Sequence, residues 1–199
     1  TFHACSVYRL LALIVTFAVT DVMAATYVVD KENTQIGFSW DRVGLTRQQG
    51  RFSDVSGTIE FEPEAPESGS VDVTVRVASV QTGVAAFDRN LRSPDFFDAA
   101  GFPVITFKST AIKRTGDKTG EVSGDLTMLG VTKPVVLDVT WVFTGEHPFG
   151  KINSAYREKT VSVFSAKGTL KRSEWGLSRV IPLISDEIML HIEAELIKK

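Results

Sequence analysis

From residue 26 onward apolar and polar residues alternate with a period of two, and no other feature of the chain restricts its fold as strongly. Ile36, Phe38 and Trp40 alternate with Gln35, Gly37 and Ser39. Val55, Gly57, Ile59 and Phe61 are interleaved with Ser56, Thr58, Glu60 and Glu62, and Val71, Val73, Val75 and Val77 with Asp72, Thr74 and Arg76. Ile105 and Phe107 form a shorter row. Val122, Leu126 and Met128 share a face opposite Glu121, Ser123, Asp125 and Thr127. Val135, Leu137, Val139, Trp141 and Phe143 make the longest row, Val161 and Val163 open another, and Ile188, Leu190, Ile192, Ala194 and Leu196 make the last. A strand turns successive side chains to opposite faces, so each row predicts a strand with one wet and one dry side.

These rows predict eight strands, separated by the turn-forming stretches 62–69, 114–120, 129–134 and 145–151. One-sided strands joined by short turns indicate an antiparallel sheet around a single core, closed as a barrel or folded as a two-sheet sandwich. The chain has 199 residues, and no repeat, low-complexity tract or linker divides it. A single all-β domain over 26–199 is expected.

The segment before it reads differently. After Arg9 come ten nearly unbroken apolar residues (10–19), then Thr20, Asp21 and a small-residue end at Ala24 and Ala25. A basic flank, a short apolar run and an A-x-A-like site predict an export signal over 1–25, cleaved after Ala24 or Ala25. A permanent membrane span would need about 20 apolar residues, so none is expected. The only cysteine, Cys5, lies in that segment, and the domain is therefore expected to fold on its core without a disulfide.

One stretch breaks the pattern: FDRNLRSPDFFDA, residues 87–99, carries Phe87, Leu91, Phe96 and Phe97 where no strand is possible. Phe87 and Leu91 are one helical turn apart, which predicts a short amphipathic helix over 85–92. Ser93-Pro94-Asp95 has the pattern of a second helix start, with Ser93 as N-cap. One or two such helices would lie across an end of the barrel with their apolar residues inward.

Composition and motifs exclude more than they assign. Net charge is −2, so no overall basic surplus suggests nucleic acid or anionic lipid headgroups as a partner, a local patch aside. His147 sits in a turn where exposure is expected, and His191 falls on an outward polar row with Glu187, Glu193 and Glu195, a solvated strand face rather than a metal site. No nucleophile elbow, phosphate-cradling loop or zinc-protease motif occurs, and no catalytic residue or required cofactor is assigned. Inward rows mix the large Phe38, Trp40, Phe61, Phe107 and Trp141 with Gly57, Gly124, Gly168 and Ala194. Two interiors fit: aromatics and glycines interlocked in a solid core, or a hollow wide enough for a ligand.

Four stretches together, GDLTMLGVTKPV (124–135), SVQTG (79–83), 88–110 and ISDEIMLHIEAEL (184–196), resemble the YceI-like family of polyisoprenoid-binding proteins, in order and spacing over 27–197. The resemblance implies an eight-stranded, lipocalin-like antiparallel barrel in the periplasm. It also implies a long apolar ligand inside, a polyisoprenoid, an isoprenoid quinone or a fatty amide, bound or carried without catalysis. Histidines frequent in that family are absent here, where Asn33, Arg42 and Asn90 stand, so no headgroup contact through them is carried over. Under this reading Phe38, Trp40, Phe107, Leu126, Met128 and Trp141 would line the ligand site, and Phe87, Leu91, Phe96 and Phe97 would close one end. Phe52, Phe164 and Trp175 are second-rank candidates because their facing is ambiguous. The competing expectation is a solid-core interaction module of the cell envelope with Trp175 of KRSEWGLSR (171–179), flanked by Lys171, Arg172 and Arg179, as a surface contact. A loop that this tryptophan merely anchors is nevertheless the preferred reading of that stretch. Behind the module stands an enzyme acting on the lipid. A cavity of roughly 300 Å³ or more separates a binding barrel from a filled one. The sequence leaves a homodimer open.

Overall fold

The structure, a computed structural model, describes residues 24–199, so the apolar segment expected to be an export signal lies outside the described residues. Eleven strands are formed: β1 (Ala25–Val29), β2 (Gln35–Arg42), β3 (Thr46–Phe52), β4 (Val55–Phe61), β5 (Ser70–Arg76), β6 (Val80–Gln81), β7 (Val104–Arg114), β8 (Thr119–Met128), β9 (Val131–Glu146), β10 (Thr160–Lys171) and β11 (Glu187–Lys198). One α-helix, α1 (Ala85–Arg92), stands between β6 and β7.

Eleven strands reduce to eight staves. The β11 strand pairs with β2 over Met189–Glu193 and with β1 over Leu196–Lys198, so β1 and β2 follow one another along one edge. They form a single stave interrupted at 30–34. In the same way β3 and β4 pair with β2 and β1 in turn and are interrupted only at Ser53 and Asp54. The third stave, β5 and β6, is interrupted by a 3-10 turn at Val77–Ser79. Adding β7 to β11 gives eight staves, every pairing antiparallel, closed where β11 returns to β1. Sequence neighbours are ring neighbours throughout, the up-and-down arrangement that leaves no open edge.

The interruptions lie side by side. The Arg76 N–H donates to the Asp54 carbonyl at 2.9 Å, and the Asp54 carboxylate meets Lys31 at 3.3 Å and Arg76 at 3.6 Å. Breaking three adjacent staves at one level lets that side of the wall bend. The opposite side bends through register shifts, at Ser109/Ala111 between β7 and β8 and at Val163/Phe164 between β9 and β10.

Two sequence expectations about facing are overturned, the first because an extra residue on β9 reverses which face points inward beyond it. Phe143, the expected end of the longest inward row, lies beyond the β9 irregularity and is exposed. On β10 the residues at the inner wall are Phe164, Ala166 and Leu170, which puts Val161 and Val163 on the other face. Phe164 thereby loses its ambiguity.

Glycines on the inner wall are covered by rings from the next strand. A Cβ on Gly50 would stand 2.6 Å from the Phe38 ring, and one on Gly124 would meet the Phe107 ring and the Lys108 carbonyl oxygen at 2.6 Å. Each ring therefore lies along the wall over a neighbouring strand's missing side chain. Gly124→Val is expected to lower stability by roughly 2–3 kcal/mol, because the Lys108 backbone cannot yield as a side chain would. For a domain of this size that is a drop in melting temperature of roughly 5–10 °C, measurable by calorimetry. A fall below about 1 °C would refute the close approach.

Candidate functional site

The interior is hollow. A cavity of about 510 Å³ follows the barrel axis, above the size at which binding becomes the better reading. Its wall runs from Arg42, Leu177 and Ile184 at one end to the β7–β8 hairpin, Arg114 to Gly120, at the other. Between them it is almost wholly apolar, and among the described residues no buried side-chain nitrogen or oxygen lacks a hydrogen-bond partner. The lumen thus offers a largely apolar surface on which, among the described residues, no fully buried polar side-chain atom is left unpaired.

All ten residues singled out from the sequence stand on this wall: Phe38, Trp40, Phe107, Leu126, Met128, Trp141, Phe87, Leu91, Phe96 and Phe97. The aromatics gather in two groups. In the half nearer α1, Phe38 stacks on Trp40 at 5.7 Å and tilts against Phe52 at 5.4 Å, and Phe97 meets Phe52 edge-on at 5.5 Å. In the far half Phe61 meets Trp141 at 5.7 Å and Phe164 at 4.9 Å, both edge-to-face. Edge-to-face contacts hold rings in one orientation, which keeps the passage between the groups open.

The segment 87–99 covers the near end, with two departures from expectation. It contains one helix: after α1 the chain makes a hydrogen-bonded turn, with the Phe96 and Asp98 N–H groups both donating to the Ser93 carbonyl. Ser93 ends α1 instead of starting a second helix, its hydroxyl donating to the Asn90 carbonyl at 2.6 Å. Phe87 is 47% exposed, so it stands at the lip, whereas Leu91, Phe96 and Phe97 pack on the core.

Trp175 decides between the two readings of its loop. It is 1% exposed and lies off the cavity wall, its indole N–H donating to the Leu126 carbonyl at 3.1 Å. It is an anchor and cannot be a surface contact. His147 is buried too, contrary to its turn context. It stacks on Tyr156 at 3.9 Å, Nε2 lies 2.7 Å from Glu195 Oε1, and Nδ1 accepts the Phe149 N–H. That accepted bond makes Nε2 the protonated nitrogen of a neutral ring, donating to Glu195. This pins the 147–159 loop to the outside of the barrel. His191 forms no metal cluster with its acidic neighbours; none is found among the described residues.

The most consequential residue that sequence reasoning missed is Arg172. Within KRSEWGLSR it reads as surface charge, yet it is buried on the cavity wall. Nε donates to the Ser185 carbonyl at 2.9 Å, Nη2 to Ile184 at 3.0 Å and Nη1 to Leu177, so one guanidinium holds the loop 177–185 around the mouth. Burial lowers its pKa from the ordinary arginine value, opposed by Asp186 nearby.

Two carboxylates fix the remaining mouth segments. Burial acts to raise the Asp186 pKa, but bonds from the Ser173 hydroxyl at 2.7 Å and N–H at 2.8 Å leave it lowered overall. Asp88 is lowered chiefly by the Thr82 hydroxyl, at 2.7 Å, against a smaller desolvation effect. A carboxylate whose pKa is depressed by folding contributes stability above its unfolded value, about 4, and loses it as pH falls through the folded value. Protection of the Thr82 and Ser173 amides, taken relative to the intrinsic exchange rate at each pH, is therefore expected to fall as pH drops below about 4 while strand amides stay protected. Equal protection at pH 6 and pH 2 would contradict this anchoring, those values being chosen roughly two units either side of the carboxylate range.

A closed up-and-down β-barrel around an open apolar lumen defines the class of this protein. Within that class the chain belongs to the YceI-like domain family, whose pattern matches residues 27–196. It is 37% identical over 179 residues to a UPF0312 protein of Pseudomonas savastanoi pv. phaseolicola, covering 89% of this chain and 88% of that protein. The crystal structure of the Campylobacter jejuni YCEI protein superimposes with a TM-score of 0.69 at 32% identity, covering 80% of this chain and 90% of that one. A polyisoprenoid binding domain from Saccharophagus degradans, implicated in plant cell wall breakdown, shares the fold at a TM-score of 0.62 and 16% identity, over 88% of this chain and 99% of that one. Among the described residues no helix is long and apolar enough to cross a membrane.

Proposed function

We propose that this protein binds and carries a long apolar lipid in its lumen, as a non-catalytic component of the periplasm. The observation that carries this reading is the cavity of about 510 Å³ with an almost wholly apolar wall and, among the described residues, every buried polar side-chain atom already satisfied. Such a wall favours a chain of methylenes or isoprene units: at about 0.8 kcal/mol per buried methylene, ten of them supply about 8 kcal/mol before the entropy of binding is subtracted. Polyisoprenoids, isoprenoid quinones and fatty amides all fit that chemistry, and the fold neighbour described as a polyisoprenoid binding domain supports the first. The periplasmic assignment rests on the export-signal pattern at 1–25. A solid-core module is disfavoured by the open lumen and by the burial of Trp175.

Native mass spectrometry of protein purified from a lysate that retains membranes is expected to show a co-purifying lipid. Added isoprenoid quinone should also quench the fluorescence of Trp40 and Trp141, which stand on the wall. Protein that carries no lipid and takes up no quinone would sink the proposal.

A further inference from the structure

At the mouth the molecule exposes apolar side chains that the lumen does not use. The β2–β3 hairpin tip presents Val43, 49% exposed, and Leu45, 83% exposed. Beside it the loop after Leu177 presents Val180, 43% exposed, and Leu183, 60% exposed. The two segments are one structure: the Val43 N–H donates to the Leu183 carbonyl at 2.7 Å, and Arg42 bridges Ile184. Arg42 and Ile184 both lie on the cavity wall, so this apolar rim borders the opening directly.

Two features set the rim apart from scattered surface apolars. Val43 and Val180 both hold positive φ, 49° and 58°, a conformation that a β-branched residue adopts only under strain. Glycine or asparagine would serve those turns at lower cost, and the strain places an apolar side chain at each of them on the outside. The second feature is charge. Segments 41–47 and 177–184 contain three arginines and one aspartate, in a chain of net charge −2. Arg47 pairs with Asp41 and Arg179 with Asp95, while Arg42 and, on neighbouring α1, Arg89 have no ion pair among the described residues. Protruding aliphatic side chains accompanied by unpaired cations match the boundary between anionic headgroups and acyl chains.

We propose that this rim seats the barrel mouth on the surface of an anionic bilayer. Resting on the carrier function, it gives the lipid a path from membrane to lumen without crossing water: Leu45 and Leu183 enter the acyl boundary, Arg42 and Arg89 meet lipid phosphates, and the opening bordered by Phe87 faces the leaflet. Neither Leu45 nor Leu183 lines the cavity, so docking and binding are separable by mutation.

The test is co-sedimentation of the full domain with vesicles of phosphatidylethanolamine and phosphatidylglycerol, beside quinone uptake from dilute detergent. Wild type should pellet with the vesicles and be released by high salt. The double variant Leu45→Asp, Leu183→Asp should partition at least about tenfold less, since it removes two apolar insertions and adds two like charges. Its quinone uptake and melting temperature should match wild type. Wild type that takes up quinone yet stays in the supernatant would overturn the rim and leave the carrier function standing. Wild type that pellets but takes up no lipid would do the reverse. A double variant that pellets like wild type would also overturn it. So would a wild-type dimer that the two substitutions make monomeric, since a second copy would then be what covers the rim.

Discussion

Ala166→Phe should cut affinity for a long-chain lipid by roughly a hundredfold while leaving the barrel folded. Ala166 lies near the middle of β10, between Val139 and Ile192, with its methyl group on the cavity wall. A phenyl ring there projects into the passage between the two aromatic groups and divides it. If about four methylenes of the ligand are thereby kept in water, the loss is about 3 kcal/mol, which is roughly a hundredfold or slightly more in Kd. Stability should change little, because the ring enters space that no side chain occupies, unlike the overpacking of a filled core. Ala194→Phe, on the same wall of β11, repeats the test from another strand. Quinone titration followed by tryptophan fluorescence reads the affinity. If both variants bind as tightly as wild type, the lipid does not lie in the lumen.

Removal of the guanidinium at position 172 should be the most damaging single change at the mouth. Arg172→Met keeps an unbranched side chain of similar reach but deletes the donors to Leu177, Ile184 and Ser185. Hydrogen bonds from a charged donor contribute about 1.5–3 kcal/mol each and are not additive, so a loss of roughly 3–5 kcal/mol is expected. For a domain of this length that lowers the melting temperature by roughly 10 °C. Arg172→Lys should recover little, since one ammonium cannot reproduce a planar fork addressing three separate carbonyls. Amide exchange should rise across 177–185 before it rises in the strands. A melting shift under about 2 °C would show that the loop holds without its clamp.

Much of the barrel was legible because alternation is a local signal with a global cause. Ile36, Phe38 and Trp40, or Ile188 through Leu196, face inward since a strand with one dry side must turn that side to the core. The expected eight strands correspond to the eight staves, although 25–29 and 46–52 did not register as strands. The second of these, TRQQGRF, hides its inward face because Gly50 leaves its place to the ring of Phe38 from the facing strand. Phe143 and the Val161–Val163 pair were assigned to the wrong face for different reasons. For Phe143 an extra residue on β9 reverses parity, and nothing in the residues at that point announces it. On β10, which pairs regularly with β11, the inward row opens on the polar Thr160 and Ser162, so the valines beside them draw the assignment to the wrong face. His147 looked exposed and Arg172 drew no notice of its own because the partners that bury them, Glu195 and Tyr156 in one case and three loop carbonyls in the other, are remote or belong to the backbone.

By itself the amino-acid order determined antiparallel, one-sided strands around a core, most of the residues that face its inside, and a short helix between the third and fourth of those strands. Each of these follows from periodicities of two and of about 3.6 residues, which need no knowledge of distant partners. Only the tertiary structure decided that the inside is empty. An inward phenylalanine fills a lumen when its ring points to the axis and opens one when the ring lies flat on a glycine of the adjacent strand. That choice is made by a neighbour far away in sequence, as the rings of Phe38 and Phe107 show.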